Sequence, residues 1–142
     1  MAREQCSDPG TLIAGGNLAG AKKGSLLKLS SGKAVLTTAA TDVVVAVLRT
    51  DLDSGRDTTD RAVPVWPINK AFQVPVLMGA AAAADRLLVP DGSANKNGKA
   101  ATVADIAGLA ANQVAFGQVM EAASAEDEVI TALAQVVAGP TA

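Results

Sequence analysis

The chain has 142 residues and a mass of 14.1 kDa, which suffices for one compact domain but not for two well-buried ones. Its formal net charge is −2, so no general phosphate-binding surface is indicated and nucleic acid is not expected as a direct partner. Histidine is absent and cysteine occurs once, which excludes a His-based triad, a His-ligated zinc and an internal disulfide.

The first ten residues predict an extended arm. They are polar, include Asp8-Pro9-Gly10 and show no periodic apolar face, so ordering them requires a partner surface. They also lack an apolar stretch of signal-peptide type. The longest mostly apolar run, residues 71–84, is too short and too interrupted to cross a bilayer, so no membrane is expected as a partner.

Residues 11–142 are predicted to form one β-rich domain. Residues 11–21 alternate apolar pairs with glycines and predict a weak strand. Residues 25–29 and 34–38 are two strand-like runs joined by a glycine-containing turn, which predicts a hairpin. Residues 43–48 are apolar and rich in valine, and they predict a core strand buried on both faces.

The middle of the chain is marked by a polar loop and by prolines. Residues 51–60 predict a surface loop, and residues 61–78 predict two extended runs containing Pro64, Pro67 and Pro75. Because proline removes a ladder donor, these runs are expected at sheet edges or in irregular chain. Residues 80–84 predict one helical turn, and residues 87–89 predict a strand.

The last third predicts a short helix near residues 102–110 and closing strands at residues 113–120 and 129–137. An amphipathic helix is the alternative for the last run. The predicted fold is therefore mainly β, a small β-barrel or sandwich-like domain with minor short helices and an extended N-terminal arm. No internal repeat is convincing in the sequence. With alanine-rich, aromatic-poor packing, oligomerisation is expected to supply stability.

Charge is distributed unevenly along the chain. Residues 1–99 hold all 12 basic side chains and nine acids, whereas residues 100–142 hold five acids and no base. A solvated acidic face is the favoured interpretation, and orientation of subunits against each other or against a partner is the alternative.

The candidate chemical motifs fail on detail, so we expect no enzyme, cofactor or resident metal. The aspartates of residues 51–60 resemble a calcium loop, but the glycine is out of register and position 12 is Ala62. The glycine-spaced segments lack the Lys-Ser/Thr of a phosphate loop. Ser25 and Lys28 match Ser-x-x-Lys without its companion motifs. Cys6 has no histidine to activate it.

Two aromatic residues near the prolines, Trp66 and Phe72, are candidate contact residues. Such side chains can stack on a sugar or a base, but core filling or subunit packing is favoured for them. We therefore expect Trp66 and Phe72 at a subunit interface or in the core.

The sequence resembles the capsid decoration, or cement, proteins of tailed bacteriophages. The resemblance rests on A-A-D-R-L-L-V-P-D-G at residues 83–92 and on F-G-Q-V-M-E-A-A-S-A-E at residues 116–126, followed by V-I-T-A-L at residues 129–133. G-S-L-L-K and G-K-A, at residues 24–28 and 32–34, occupy places comparable to that family's early strand and hairpin. The similarity spans most of residues 11–137, although Ala84 replaces the usual glycine before Asp85.

The resemblance implies a homotrimer on the outer surface of a phage head, made in the host cytoplasm and holding neighbouring major capsid subunits together against the pressure of packaged DNA. Its partners are then the major capsid protein and other copies of this chain. Another virion β-module, such as a tail or carbohydrate-binding component, is the alternative. The polar arm is the expected capsid contact because an extended segment can add to a strand of the shell. Its residues are Arg3, Glu4, Gln5, Cys6, Ser7, Asp8 and Pro9.

Overall fold

The computed structural model describes residues 9–141 and confirms a mainly β, sandwich-like fold. Within these residues the only helical segments are two 3-10 turns, Ile68–Lys70 and Ile106–Gly108, and no helix there is long and apolar enough to span a membrane. The ten strands are β1 (Gly10–Ile13), β2 (Leu26–Ser30), β3 (Lys33–Leu36), β4 (Ala46–Leu48), β5 (Ala62–Pro67), β6 (Gln73–Leu77), β7 (Leu87–Pro90), β8 (Ala100–Val103), β9 (Val114–Val119) and β10 (Val129–Ala138).

The strands form two antiparallel sheets of identical topology. The first sheet has the order β1-β5-β4-β2-β3, and the second has the order β6-β10-β9-β7-β8. In each sheet the two edge strands approach at one parallel bridge, Ala14 with Ala34 and Met78 with Ala100. The chain therefore consists of two structural repeats. We call residues 10–67 the first repeat and residues 73–138 the second repeat.

The repeat extends to individual hydrogen bonds and ion pairs. The Gly15 N–H donates to the Ala34 carbonyl at 2.7 Å, and the Gly79 N–H donates to the Ala100 carbonyl at 2.8 Å. A Gly-Lys-Ala triplet leads into each of the equivalent strands, at residues 32–34 for β3 and at residues 98–100 for β8. Its lysine pairs with a left-handed aspartate in both repeats, Lys33 with Asp60 at 2.6 Å and Lys99 with Asp127 at 2.7 Å.

Apolar clusters cover both faces of each sheet. Consecutive residues on a strand point to opposite faces, so Leu26 and Leu27 join different clusters, as do Leu87 and Leu88. The largest cluster lies between the repeats and contains Phe116, the largest fully buried side chain. The other two lie on the far face of each sheet. This stacking buries area without many aromatic side chains.

Several predicted elements are confirmed. The hairpin at residues 25–38 is β2–β3, and the strands predicted at residues 87–89, 113–120 and 129–137 are β7, β9 and β10. The weak strand predicted at residues 11–21 is confirmed only at its start, as β1. The last element is a strand, not the alternative helix, because it pairs with both β6 and β9.

One helical prediction is wrong and another is confirmed only in part. Residues 80–84 form no helical turn, because the Ala82 N–H and carbonyl are paired with Ala123 across an antiparallel bridge, at 2.9 Å in both directions. Residues 102–110 are not a continuous helix. Their first part completes β8 against β7, and only Ile106–Gly108 turns, with the Asp105 carboxylate accepting from the Gly108 N–H. Tertiary pairing overrides local helix propensity at both places.

The prediction that prolines confine their strands to edges holds for β6 and fails for β5. β5 lies between β1 and β4. The Arg49 N–H donates to the Pro64 carbonyl at 3.1 Å, so the N–H that Pro64 lacks would face Arg49, just beyond the end of β4. An internal strand therefore accepts this proline because its neighbour is short. Pro75 lies in β6, which is an edge strand.

The predicted core strand at residues 43–48 is shorter than expected. β4 begins at Ala46, and Val43 is 55% exposed while Val45 is only half-buried. The Asp42 carboxylate accepts from the N–H groups of Thr38 and Ala39 at 2.8 and 2.9 Å, which holds the chain in a turn before the strand. The prediction of burial on both faces is confirmed only for residues 46–48.

Candidate binding surfaces

The predicted capsid-contact residues are mostly outside the described part of the chain. Arg3, Glu4, Gln5, Cys6, Ser7 and Asp8 precede residue 9, so their role stays a prediction. Pro9 is exposed and immediately precedes β1, an edge strand whose first residue, Gly10, pairs with Val65. Pro9 therefore lies at an edge of the first sheet.

Trp66 lies on β5, where it is paired with Val47 and packs against the cluster between the repeats. The Arg49 guanidinium lies over its ring, 5.5 Å from the ring centroid, a favourable cation–π distance. Trp66 is half-buried, so the structure places it partly in the core, one of the two expectations from the sequence. Its contribution to subunit packing stays a prediction.

Phe72 lies directly before β6 and is 47% exposed. Its carbonyl accepts from the Ala134 N–H at 2.9 Å, which fixes the backbone against β10. An aromatic residue with nearly half of its surface in solvent can take part in a contact with another subunit. The structure thus separates the two predicted interface residues, with Trp66 partly in the core and Phe72 at the surface.

The contact between the two repeats is formed by specific hydrogen bonds that were not predicted from the sequence. The Leu77 N–H, on the outer side of β6, donates to the Gly24 carbonyl at 3.0 Å. Gly98 is wedged between the ends of β2 and β3, where its carbonyl accepts from the Leu26 N–H at 2.7 Å and its N–H donates to the Thr37 carbonyl at 2.9 Å. We call this contact the repeat junction.

Two glycines make the repeat junction possible. Gly24 has φ +87°, and a β-carbon there would lie 2.7 Å from the Leu77 nitrogen. Gly98 has φ +74°, and a β-carbon there would lie 2.8 Å from Leu36 Cδ2. Both glycines need the left-handed conformation, and Gly24 also needs the missing side chain because the atoms it would meet belong to the backbone of β6. The interpretation of isolated glycines as turn residues therefore overlooked this contact between the repeats.

An ion-pair cluster borders the repeat junction. The Glu126 carboxylate lies 2.8 Å from both the Lys96 and the Lys99 ammonium groups, and Lys99 also contacts Asp127 at 2.7 Å. Hydrogen bonds from Lys96 and Lys99 lower the pKa of Glu126 to about 2. Hydrogen bonds to Asp127 and Glu126 raise the pKa of Lys99. The Glu126 carboxylate and the Lys99 ammonium are therefore both charged near neutral pH.

The polar loop at residues 51–60 borders an open cavity of about 530 Å³. Two of its carboxylates bind the loop's own backbone, since Asp53 accepts from the Gly55 N–H at 2.9 Å and Asp57 from the Thr59 N–H at 2.8 Å, whereas Asp51 accepts from the Lys23 N–H and Asp60 pairs with Lys33. Hydrogen bonds from the side chain and backbone of Thr59 lower the pKa of Asp57. The loop geometry is thus that of a self-capped surface loop.

The Ser25 and Lys28 side chains have separate partners. The Ser25 hydroxyl donates to the Lys22 carbonyl at 2.7 Å, whereas the Lys28 ammonium lies 3.0 Å from the Asp42 carboxylate. Burial raises the pKa of Asp42, but the Thr38 and Ala39 N–H groups and Lys28 outweigh it and leave that pKa below its usual value. These contacts give both side chains a structural use.

The fold and its surfaces define a mainly β protein that is built from two repeated antiparallel sheets joined at the repeat junction. The fold is similar to the crystal structure of the N base of head fiber gp8.5 in bacteriophage phi29, with a TM-score of 0.58 and 20% identity. The alignment covers 90% of this chain and 93% of that one. No protein-family profile and no curated protein sequence matches the chain. The likeness is therefore one of fold.

Proposed function

We propose that this chain is a structural protein of a bacteriophage virion. The supporting observation is that the fold is shared, over nearly the whole of both chains, with the N base of the head fiber of bacteriophage phi29. The sequence resemblance to phage capsid decoration proteins points to the same setting from different features. In this function the chain contributes fitted surfaces and carries out no bond-making step, so it requires no cofactor.

Within that role we propose that the chain is a decoration, or cement, protein of the head. It binds the outer capsid surface as a homotrimer and holds neighbouring major capsid subunits together against the pressure of packaged DNA. The arm from Arg3 to Pro9 makes the capsid contact. The position of Pro9 directly before the edge strand β1 supports this, because an extended segment can add to a strand of the shell. Three linked arms would bind with avidity.

The experiment is a binding assay with phage heads that lack this chain, prepared in expanded and unexpanded forms. The purified full-length protein is mixed with each form, pelleted with the heads and counted per particle, and its position is located by cryo-electron microscopy. Saturable binding of trimers to the outside of expanded heads is expected. Failure to bind either form, or saturable glycan binding that is lost on Trp66→Ala, would replace the cement role by the alternative of another virion β-module.

A further inference from the structure

The Gly98 wedge of the repeat junction belongs to a chemically reactive pair of residues. The chain has five asparagines, and Asn97 is the one that is followed by glycine. In such a pair the glycine nitrogen can attack the asparagine side chain, because glycine has no β-carbon to obstruct the approach or to restrict the backbone. Asn97 is exposed, whereas Gly98 is buried. One member of the pair therefore lies in solvent and the other lies inside the repeat junction.

The two residues form the centre of a tight turn. The Lys99 N–H donates to the Lys96 carbonyl at 3.0 Å across Asn97 and Gly98, and Gly98 has φ +74°. A positive φ at the third residue of a β-turn is the geometry that favours glycine there. Ring closure needs the Gly98 nitrogen to turn towards the Asn97 side chain. The peptide unit between these residues therefore has to rotate out of the turn before any reaction.

The closed repeat junction opposes that rotation. The Gly98 N–H donates to the Thr37 carbonyl at 2.9 Å, and the Gly98 carbonyl accepts from the Leu26 N–H at 2.7 Å. The attacking nitrogen must lose its proton, and the Thr37 hydrogen bond holds that proton. Leu36 Cδ2 lies 2.8 Å from the position of a Gly98 β-carbon, so little space surrounds the wedge. The fold thus keeps the nucleophile away from the Asn97 side chain.

We infer that Asn97 is a self-modification site whose reaction is controlled by the repeat junction. When the junction opens, the Gly98 nitrogen loses its proton and bonds to Asn97 Cγ, and the bond from Cγ to the side-chain nitrogen breaks with release of ammonia. One water molecule then opens the cyclic imide and leaves aspartate or isoaspartate at residue 97. The reaction consumes water and requires no other reactant. Its rate follows the fraction of chains in which the junction is open.

Isoaspartate at residue 97 keeps the repeat junction from closing again. In this product the backbone runs through the former side chain, which adds one carbon atom to the chain between residues 97 and 98. The turn from Lys96 to Lys99 then no longer has the length at which Gly98 reaches both Thr37 and Leu26. A reversible opening thereby becomes permanent. The chemistry takes place within one chain and does not depend on the proposed function.

Peptide mapping by mass spectrometry tests the control by the fold. The full-length protein is incubated at mildly alkaline pH, either folded or unfolded in urea, and the deamidation of each asparagine is followed over time. We expect Asn97 to react at least about tenfold faster in urea than in the folded chain. Asn95 is exposed in the same loop but precedes lysine, so it should react slowly in both states. Equal rates for Asn97 in the two states, or a rate in urea no faster than that of Asn95, would overturn the inference.

A matched pair of variants tests the role of the repeat junction itself. Gly24→Ala places a β-carbon 2.7 Å from the Leu77 nitrogen in the junction, whereas Gly32→Ala meets nothing within 4 Å. Under conditions where circular dichroism shows both variants folded, Asn97 should deamidate at least about threefold faster in Gly24→Ala. Equal rates would show that the junction does not control the reaction. The comparison of the wild type with and without urea requires neither variant.

The product itself provides the last test. Chains modified at Asn97 alone are isolated after incubation in urea, the isoaspartate form is separated by chromatography and refolded, and its melting temperature is compared with that of Asn97→Asp. Both proteins carry the same added charge, but only the isoaspartate form has the longer backbone. The isoaspartate form should melt at a lower temperature, and Asn97→Asp should melt near the wild type because Asn97 is exposed. Equal melting temperatures for the two modified proteins would overturn the proposed block to closure.

Discussion

Neighbouring valines in and before β4 should differ sharply in their tolerance of charge. Val47 has no exposed surface and lies between the repeats, whereas Val45 is half-buried beside a surface groove. We expect Val47→Asp to lower the free energy of unfolding by at least about 3 kcal/mol, because it buries an unpaired carboxylate. Val45→Asp should cost less than half as much. Urea unfolding of both variants measures this difference, and equal losses would contradict the burial described for β4.

Two left-handed glycines form a matched pair for testing the repeat junction. Gly24 and Gly32 have φ +87° and +78°, but a β-carbon would meet the Leu77 nitrogen at 2.7 Å only at Gly24, and at Gly32 it would meet nothing within 4 Å. Gly32→Ala should cost about 1 kcal/mol for its backbone conformation alone. Gly24→Ala should cost at least about 1 kcal/mol more. Similar melting temperatures for the two variants would mean that the repeat junction accommodates a β-carbon at Gly24 without losing stability.

At the scale of elements, the sequence predicted strands where apolar runs were flanked by turn residues, and it failed where pairing with distant chain decided the outcome. The β2–β3 hairpin is encoded locally by Ser-Gly between two apolar runs. The Ala82–Ala123 bridge is not encoded locally, since both residues lie in alanine-rich segments with high helix propensity. Pro64 likewise indicates an edge unless the length of β4 is known.

The Lys96–Lys99–Glu126 cluster should make the free energy of unfolding depend on pH in the acid range. The pKa of Glu126 is lowered from 4.5 to about 2, so the folded state binds its proton more weakly than the unfolded chain does. Its stabilising effect is therefore complete above about pH 4.5 and is lost as the pH falls towards 2. Glu126→Gln should flatten the decline in unfolding free energy over this window.

A second substitution controls for the loss of a carboxylate. Glu121 accepts from the Thr131 N–H at 3.3 Å and is not part of the cluster. Glu121→Gln should retain the wild-type decline between pH 4.5 and 2 in urea unfolding series. If Glu126→Gln and Glu121→Gln decline equally, the lysine contacts of Glu126 contribute nothing measurable.

At the scale of the whole molecule, the fold class could be predicted but the duplication could not. Equivalent residues are separated by varying distances along the chain, since Gly24 corresponds to Asp85 and Gly15 to Gly79 while their loops differ in length. A fixed period, which is the signature of a sequence repeat, is therefore absent. Only the Gly-Lys-Ala triplets remain recognisable. The repeat junction could not be predicted either, because it depends on how the two sheets pack against each other.

The arm provides the prediction that belongs to the complete molecule. Gly10 makes the first pair of β1 with Val65, so deletion of residues 2–9 removes no described strand pairing and should leave the melting temperature within a few degrees of wild type. Binding to expanded heads should nevertheless fall by at least tenfold, since three arms contribute jointly to avidity.

If the arm makes the capsid contact, the deletion variant keeps the native mass of the wild type and fails to bind. Co-sedimentation with expanded heads, together with native mass, separates loss of the capsid contact from loss of self-association. Full occupancy by the deletion variant would transfer the capsid contact from the arm to the folded repeats, where the exposed ring of Phe72 would be the first residue to test.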